Sequence, residues 1–213
     1  ARNHVDPDDW ISRVPLLPPR TKVRVGWMGS HQHVWDLRLA APALHLAKEM
    51  GCEIVLVGLD PASHDPGWRE FLGDYTHVPW FTPNKYHHSL LNFDIGLIPL
   101  VYNKHTLGKS DVKFLEYAMS GAATVAQNNP VYNKTIKHGE TGLLAGSPDE
   151  MAYAMAELIK NSTYRRKIAD NAREYVLKER TMQGNISEWQ EAIQGLAHGR
   201  DDLVGVPERV LDL

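Results

Sequence analysis

The densest run of chemistry-bearing residues in the 213-residue chain is Lys109-Ser110-Asp111-Val112-Lys113-Phe114-Leu115-Glu116-Tyr117-Ala118-Met119-Ser120-Gly121. Val112, Leu115 and Met119 fall at helical spacing, Ser110 can cap the start, and Gly121 can end the helix. The first N–H groups of a helix have no partner within it. Those of Ser110, Asp111 and Val112 therefore offer an anion site at the positive end of the helix dipole. Lys109 and Lys113 flank that start with charge. Glu116 follows on the same side, where a carboxylate could accept hydrogen bonds from the two hydroxyls of a ribose. The plainer reading is an exposed helix start with an (i, i+3) Lys113–Glu116 pair. The residues alone leave the two readings even.

Other candidates are weaker. Gly26-x-x-Gly29-Ser30 follows an apolar run and could let backbone N–H groups approach a phosphate. It lacks the GxGxxG pattern and an acidic ribose partner, so a tight strand-to-helix turn is the better account of it taken alone. Gly108-Lys109-Ser110 resembles the end of a P-loop, but Asn103 stands where that pattern needs glycine. The pairs His31-x-His33 and His87-His88 have no Cys, Asp or Glu at ligand spacing, and HExxH is absent, so no metal site is expected. Ser63-His64-Asp65 holds the letters of a triad, but adjacent residues cannot line up as nucleophile, base and orienter.

The elements that would position these residues alternate. Apolar strands are expected near 23–28, 53–57, 76–79, 95–98 and 123–126, with a short sixth at Leu143-Leu144. Helical spacing runs from Leu37 to Ala47 behind an Asp36 cap, then over Trp68–Leu72, Pro83–Leu91 and the Ser110–Gly121 stretch. Ser147-Pro148-Asp149-Glu150 reads as a helix start with serine at the cap, proline first and glutamate third. One or two helices follow to about Lys178, and another covers Gly184–Leu196. Short, almost continuous apolar strands alternating with amphipathic helices imply a doubly wound, Rossmann-like parallel sheet. Ligands of such α/β sheets bind beyond the carboxyl ends of the strands, at the switch in strand order.

Composition narrows the class. With 43% hydrophobic and 23% charged residues, a normal core is expected. A formal charge of −3 provides no general basic field for nucleic acid. The one cysteine, Cys52, excludes an internal disulfide framework and fits a reducing, cytoplasmic compartment. No apolar run approaches the roughly 20 residues that span a bilayer. The chain opens at Ala1 without an initiator Met or signal-peptide core, and reads as a piece of a longer protein or a processed chain. Residues 1–20, rich in proline, read as a linker, 21–180 as the α/β domain, and 181–213 as a carboxy-terminal helix and tail.

Several stretches, in order, resemble the carboxy-terminal domain of retaining glycosyltransferases of the GT-B fold, family GT4. Asn3-His4-Val5-Asp6 is similar to the "NGVD" that ends that family's interdomain linker. Val25-Gly26-Trp27-Met28-Gly29 resembles its first strand and glycine turn. Asp94-Ile95-Gly96-Leu97-Ile98-Pro99-Leu100 resembles "DIGLxPL". Lys109 to Gly121, followed by Thr124-Val125-Ala126, resembles "KSxxKxLEYxAxGxPVVA". His138 to Leu144 resembles "xGExGLL". The resemblance covers the chain to about Arg180.

The resemblance implies a nucleotide-sugar donor site. Glu116 would bind the ribose. The amides of Ser110, Asp111 and Val112 would hold phosphate and sugar, and Gly29 and Ser30 would lie by the diphosphate. Trp80, Phe81 and Thr82 would flank the base. Two departures stand out. A glutamate common eight residues before Glu116 is Gly108 here, and the Arg and Lys that often follow the glycine turn are replaced by Ser30-His31-Gln32-His33. Lys109 or Lys113 would then supply charge to the diphosphate.

The implied reaction is sugar transfer from a nucleotide-diphosphate sugar to an acceptor hydroxyl with retention, as in polysaccharide biosynthesis. No cofactor or metal is expected. The acceptor, a glycan or lipid, would be held by an amino-terminal domain, through which the full protein could also touch a membrane peripherally. The last helix would cross back to that domain with Ile186, Trp189 and Ile193 on one face, leaving Trp189 partly uncovered in this chain. Two alternatives remain: a non-catalytic nucleotide- or glycan-binding module, and a nucleotide-sugar epimerase of the same fold.

Overall fold

The computed structural model describes residues 2–10, 17–19, 21–80, 83–101, 103 and 106–201. Six strands, β1 (Arg24–Gly29), β2 (Glu53–Gly58), β3 (Thr76–Val78), β4 (Ile95–Ile98), β5 (Ala123–Gln127) and β6 (Leu143–Ala145), form one sheet in the order β3-β2-β1-β4-β5-β6. Every pairing is parallel. This is the expected doubly wound α/β architecture, with the switch in strand order between β1 and β4.

Alternation along the strands divides the core in two. Val25, Trp27, Ile54, Leu56, Ile95, Leu97 and Val125 face one layer. Its helices include α2 (Ala41–Glu49), α3 (Gly67–Leu72) and α6 (Pro148–Lys160). Met28, Val55, Val57, Ile98 and Ala126 face the other, under α4 (Pro83–Leu90) and α5 (Val112–Ser120). The long α7 (Ser162–Glu179) serves both, with Ile168 and Ala169 in the first and Ala172 and Val176 in the second.

Local differences from the expected elements have local causes. The helix expected from Leu37 to Ala47 is two, α1 (Val34–Leu39) and α2, interrupted at Ala40 because Pro42 at the start of α2 has no N–H to continue the ladder. Asp36 is not a cap. It lies inside α1, buried, and reaches another loop. Asp111, not Ser110, holds the N-cap position of α5. β3 ends at Val78, ahead of Pro79. The start of α6 is as read: Ser147 Oγ accepts from Glu150 N–H at 3.1 Å, while Glu150 Oε2 accepts from Gly146 N–H at 2.7 Å.

The amino-terminal segment is docked against the last helix. Val5 N–H donates to Arg180 O at 3.0 Å, and Met182 N–H donates to Val5 O at 2.9 Å. Trp10 is buried, its ring edge-on to His87. In α8 (Ile186–Asp201) Trp189 is half-buried and its indole N–H donates to His4 Nδ1 at 3.0 Å, while Ile186 and Ile193 are exposed. The expected partial uncovering of Trp189 is therefore present.

Candidate functional site

Two glycines let aromatic rings lie directly on the sheet. A Cβ on Gly26 would stand 2.1 Å from the Phe93 ring, and one on Gly96 would stand 2.3 Å from the Tyr117 ring. Tyr117 is fully buried, and its hydroxyl accepts from Met28 N–H at 3.1 Å, near the carboxyl end of β1. That bond ties α5 to the strand beside the switch point, and Glu116 is the next residue back along the helix.

Glu116 is half-buried. Its Oε2 accepts from the Tyr86 hydroxyl of α4 at 2.8 Å, and the same hydroxyl lies 3.6 Å from Met28 Sδ. Trp80 stacks on the Tyr86 ring with centroids 6.2 Å apart. Trp80 also closes on Gly58, at the end of β2, where a Cβ would stand 2.6 Å from its ring. Burial pushes the Glu116 carboxyl up to about 7, against the downward pull of the Tyr86 hydrogen bond and the Lys113 charge. Burial draws the Lys113 ammonium down to about 8, against the pull of Asp36 and Glu116. The Lys113 ammonium stands 6.0 Å above the Trp27 ring. Burial, reinforced by Glu116, raises the Tyr86 phenol far out of the physiological range, so it remains a donor.

The start of α5 is fixed from below. The Asp111 carboxylate takes two bonds from Arg180, at 2.8 and 3.0 Å, and one from the Thr135 hydroxyl at 2.6 Å. Arg180 also donates to Asn3 O. The Asp111 side chain is thus structural. Among the described residues, no acceptor meets the N–H groups of Ser110, Asp111 and Val112. Ser110 is exposed and Lys109 half-buried beside them.

Across the switch point, a Cβ on Gly29 would stand 2.4 Å from the Trp27 ring and 3.2 Å from His33 Cβ, so only glycine fits that turn. Ser30 follows in extended conformation, and its carbonyl accepts from His33 N–H at 2.9 Å. Asp36 joins this turn to the loop after β4: one oxygen bonds His33 Nδ1 at 2.6 Å and the other accepts Val101 N–H at 2.7 Å.

Gly29, Ser30, Trp80, Lys113, Glu116 and the start of α5 therefore gather at the carboxyl ends of β1, β2 and β4. Phe81 and Thr82 lie outside the described residues. Sequence reading missed Tyr86 and Asp36. The (i, i+3) spacing of His33 and Asp36 was an available signal, while the Tyr86–Glu116 contact spans 30 residues. The Ser63-His64-Asp65 run serves local turns: Ser63 donates to Asp60 O, and Asp65 accepts from Gly67 N–H. Among the described residues, no group of three or more His, Cys, Asp or Glu side chains is placed to hold a metal ion.

The open parallel α/β sheet thus brings a helix start, a lysine and a half-buried carboxylate together at its switch point, where sheets of this kind take their ligands. The chain belongs to the glycosyl transferase-like family, whose sequence profile matches residues 38–191. Searching the curated proteins gives no match. Among solved structures, the carboxy-terminal domain of the group 1 glycosyl transferase LpcC from Francisella tularensis is similar at 18% identity and a TM-score of 0.62, covering 82% of this chain and 97% of that one. Sucrose-phosphate synthase from Thermosynechococcus elongatus is similar at 19% identity and a TM-score of 0.71, over 92% of this chain. HepE from Anabaena, in complex with UDP-glucose, is similar at 14% identity and a TM-score of 0.66, over 82% of this chain. The chain spans 52% of the synthase and 49% of HepE. At these identities the likeness is one of fold, that of the carboxy-terminal domain of group 1 GT-B glycosyltransferases.

Proposed function

We propose that this chain is the donor-binding half of a retaining, GT4-type glycosyltransferase. It would hold a nucleoside diphosphate sugar at the β1–β4 switch point while a second domain supplies the acceptor. The observation that carries this reading is Glu116, a half-buried carboxylate held by Tyr86 through one oxygen, beside Lys113 and the start of α5. Burying a carboxylate costs free energy unless it has partners. A ribose offers two adjacent hydroxyls to it.

The residues divide the work. Glu116 accepts from the ribose. Trp80, stacked on Tyr86 and 48% exposed, offers a face to the base. Ser110, Asp111 and Val112 N–H groups, with Lys113 and Lys109, meet negative charge as it develops on the departing diphosphate. We propose that this needs no metal ion, since the sequence has no carboxylate pair of the DxD type at a strand end: Asp6-Pro7-Asp8-Asp9 and Asp201-Asp202 lie towards its two ends. UDP is the first probe, because HepE was solved with it. Calorimetric titration of UDP, GDP, ADP, TDP and CDP is expected to find one that binds, with binding weakened by about 1–3 kcal/mol in Glu116→Ala. Equal affinities in both proteins would remove Glu116 from the site.

One observation favours a second reading, a nucleotide-binding module without transfer. Gly108 stands where the resembling family often has a glutamate, and nothing lies within 4 Å of a Cβ placed there. Transfer by the Gly108→Glu protein but not by the parent, each joined to an acceptor domain, would select it.

A further inference from the structure

We propose that His33 is a phosphate-binding residue of the donor site, held by Asp36 through Nδ1 so that Nε2 meets an oxygen of the nucleoside diphosphate. This rests on the donor-site reading above and adds a residue to it that sequence spacing did not assign.

The argument begins with Asp36. Its side chain is 9% exposed, and the basic side chain in direct contact with it is the imidazole of His33. A buried carboxylate is costly, and one backbone N–H, that of Val101, would serve equally well to tie the two loops through a neutral asparagine. The second oxygen is taken by His33 Nδ1 at 2.6 Å. A carboxylate only accepts, so Nδ1 carries the hydrogen and the ring is turned with Nε2 away from Asp36. Among the described residues Nε2 has no partner, and the His33 side chain is 21% exposed. The polar tip of a ring fixed at its other end is therefore free for a ligand.

Its position fits an anion. His33 packs against the Gly29 turn, its Cβ 3.2 Å from the place a Cβ would take on Gly29. Asp36, which holds it, also attracts Lys113 from α5 across the switch point. One buried carboxylate thus gathers an imidazole and an ammonium from opposite sides of the carboxyl ends of β1 and β4. With a phosphate oxygen at Nε2, the ring binds as imidazolium, donating through both nitrogens. Asp36 then offsets part of the charge brought into the turn.

The test compares ligands with and without phosphate. UDP (or whichever nucleoside diphosphate binds) and its parent nucleoside are titrated into the wild-type chain and His33→Ala, followed by amide chemical shifts, with melting temperatures as a fold control. Diphosphate affinity is expected to fall about tenfold in the variant, with nucleoside affinity unchanged. In the wild-type protein, which needs no variant to fold, the His33 Nε2 resonance is expected to move with the diphosphate and stay in place with the nucleoside. Unchanged diphosphate affinity, equal losses for both ligands, or an Nε2 resonance indifferent to phosphate would each overturn the assignment while leaving the donor site standing. If no nucleotide binds the wild-type chain, the donor-site reading falls and this assignment with it.

Discussion

The Tyr86 hydroxyl donates to Oε2 of Glu116 at 2.8 Å, and so joins α4 to α5 across the face of the sheet that ends at Met28. The bond occupies one carboxylate oxygen and leaves the other for a ligand. It also connects Glu116, the proposed ribose partner, to Trp80, the proposed base partner, because Trp80 stacks on the same Tyr86 ring.

Tyr86→Phe keeps the ring and its stacking and removes only the donor. The carboxylate then loses the hydrogen bond that favours its ionised form, and Glu116 is freer to rotate. Nucleoside diphosphate affinity at pH 7.5 is expected to weaken roughly 3- to 10-fold, with little change in melting temperature. Calorimetry on the two proteins measures it. An unchanged dissociation constant would mean that Tyr86 does not position Glu116.

Glu116 also sets a pH dependence. Its carboxyl titrates at about 7 in the fold, against an ordinary value of 4.5. Between those values the folded chain holds a proton that the unfolded chain has lost. Stability therefore falls as pH rises from about 4.5 through about 7, by an amount on the order of 3 kcal/mol. Glu116→Gln keeps an acceptor for Tyr86 and removes the charge. It is expected to raise the melting temperature by roughly 5 °C or more at pH 8 and to leave it unchanged at pH 4, while weakening nucleotide binding. Melting curves at the two pH values decide, and a variant less stable than the parent at pH 8 would count against the buried-carboxylate account.

Lys113 works in the opposite sense. Its ammonium titrates at about 8, below the ordinary 10.5, so the cost of burying the charge is present below about 8 and is relieved as pH rises toward 10.5. A bound diphosphate favours the charged lysine, and a bound ribose favours the charged Glu116. In a His33→Ala background, where the imidazole takes up no proton with the ligand, affinity is expected to rise from pH 6 to about 7.5 and to fall above about 8.5. Lys113→Ala should remove the alkaline fall. A titration series over that range checks both limbs.

The Asp111–Arg180 pair carries stability rather than chemistry. Arg180 is 3% exposed at its side chain, Asp111 11%, and the pair joins the start of α5 to the end of α7 and to the Asn3 carbonyl. Arg180→Ala leaves a buried carboxylate with one hydroxyl donor. The expected loss is about 3–5 kcal/mol, or roughly 10 °C in melting temperature. A change under about 2 °C would show that water replaces the guanidinium without cost.

The strands, their order of appearance and the helix carrying Glu116 were legible because each depends on local spacing. Val25 and Trp27 alternate with Gly26 and Met28 over one strand, and Ser147 caps α6 through a residue three positions on. The two helices around Ala40 were also within reach, since Pro42 marks the break. What spacing could not reveal lies in contacts between distant segments. Asp36 looked like a cap because aspartate commonly is one, yet its oxygens bond His33 and Val101, the latter 65 residues away. Spacing singles out Asp111 for its backbone N–H alone, and gives no sign that its side chain holds Arg180, 69 residues on. The importance of Gly96 depends on a ring 21 residues later that lies where its Cβ would be.

The last expectation concerns transfer. The residues gathered at the switch point all suit the donor, and none stands out as a group for the acceptor. Holding both reactants in reacting geometry can contribute roughly 7–11 kcal/mol toward lowering a barrier. A chain that holds only the donor forgoes most of that. This chain alone is therefore expected to bind a nucleoside diphosphate sugar and to show no measurable transfer to an added acceptor. Joined to an amino-terminal acceptor domain, it is expected to transfer sugar with retention at the anomeric carbon, at the same rate with or without EDTA. The charge on the leaving diphosphate would be met by Lys113, the α5 amides and His33. A donor panel assayed with and without EDTA, with the product anomer read by NMR, measures all of this. Activity lost on chelation would show that a metal neutralises the diphosphate and that these residues play a lesser part. An inverted product would rule out the retaining class while leaving the donor site in place.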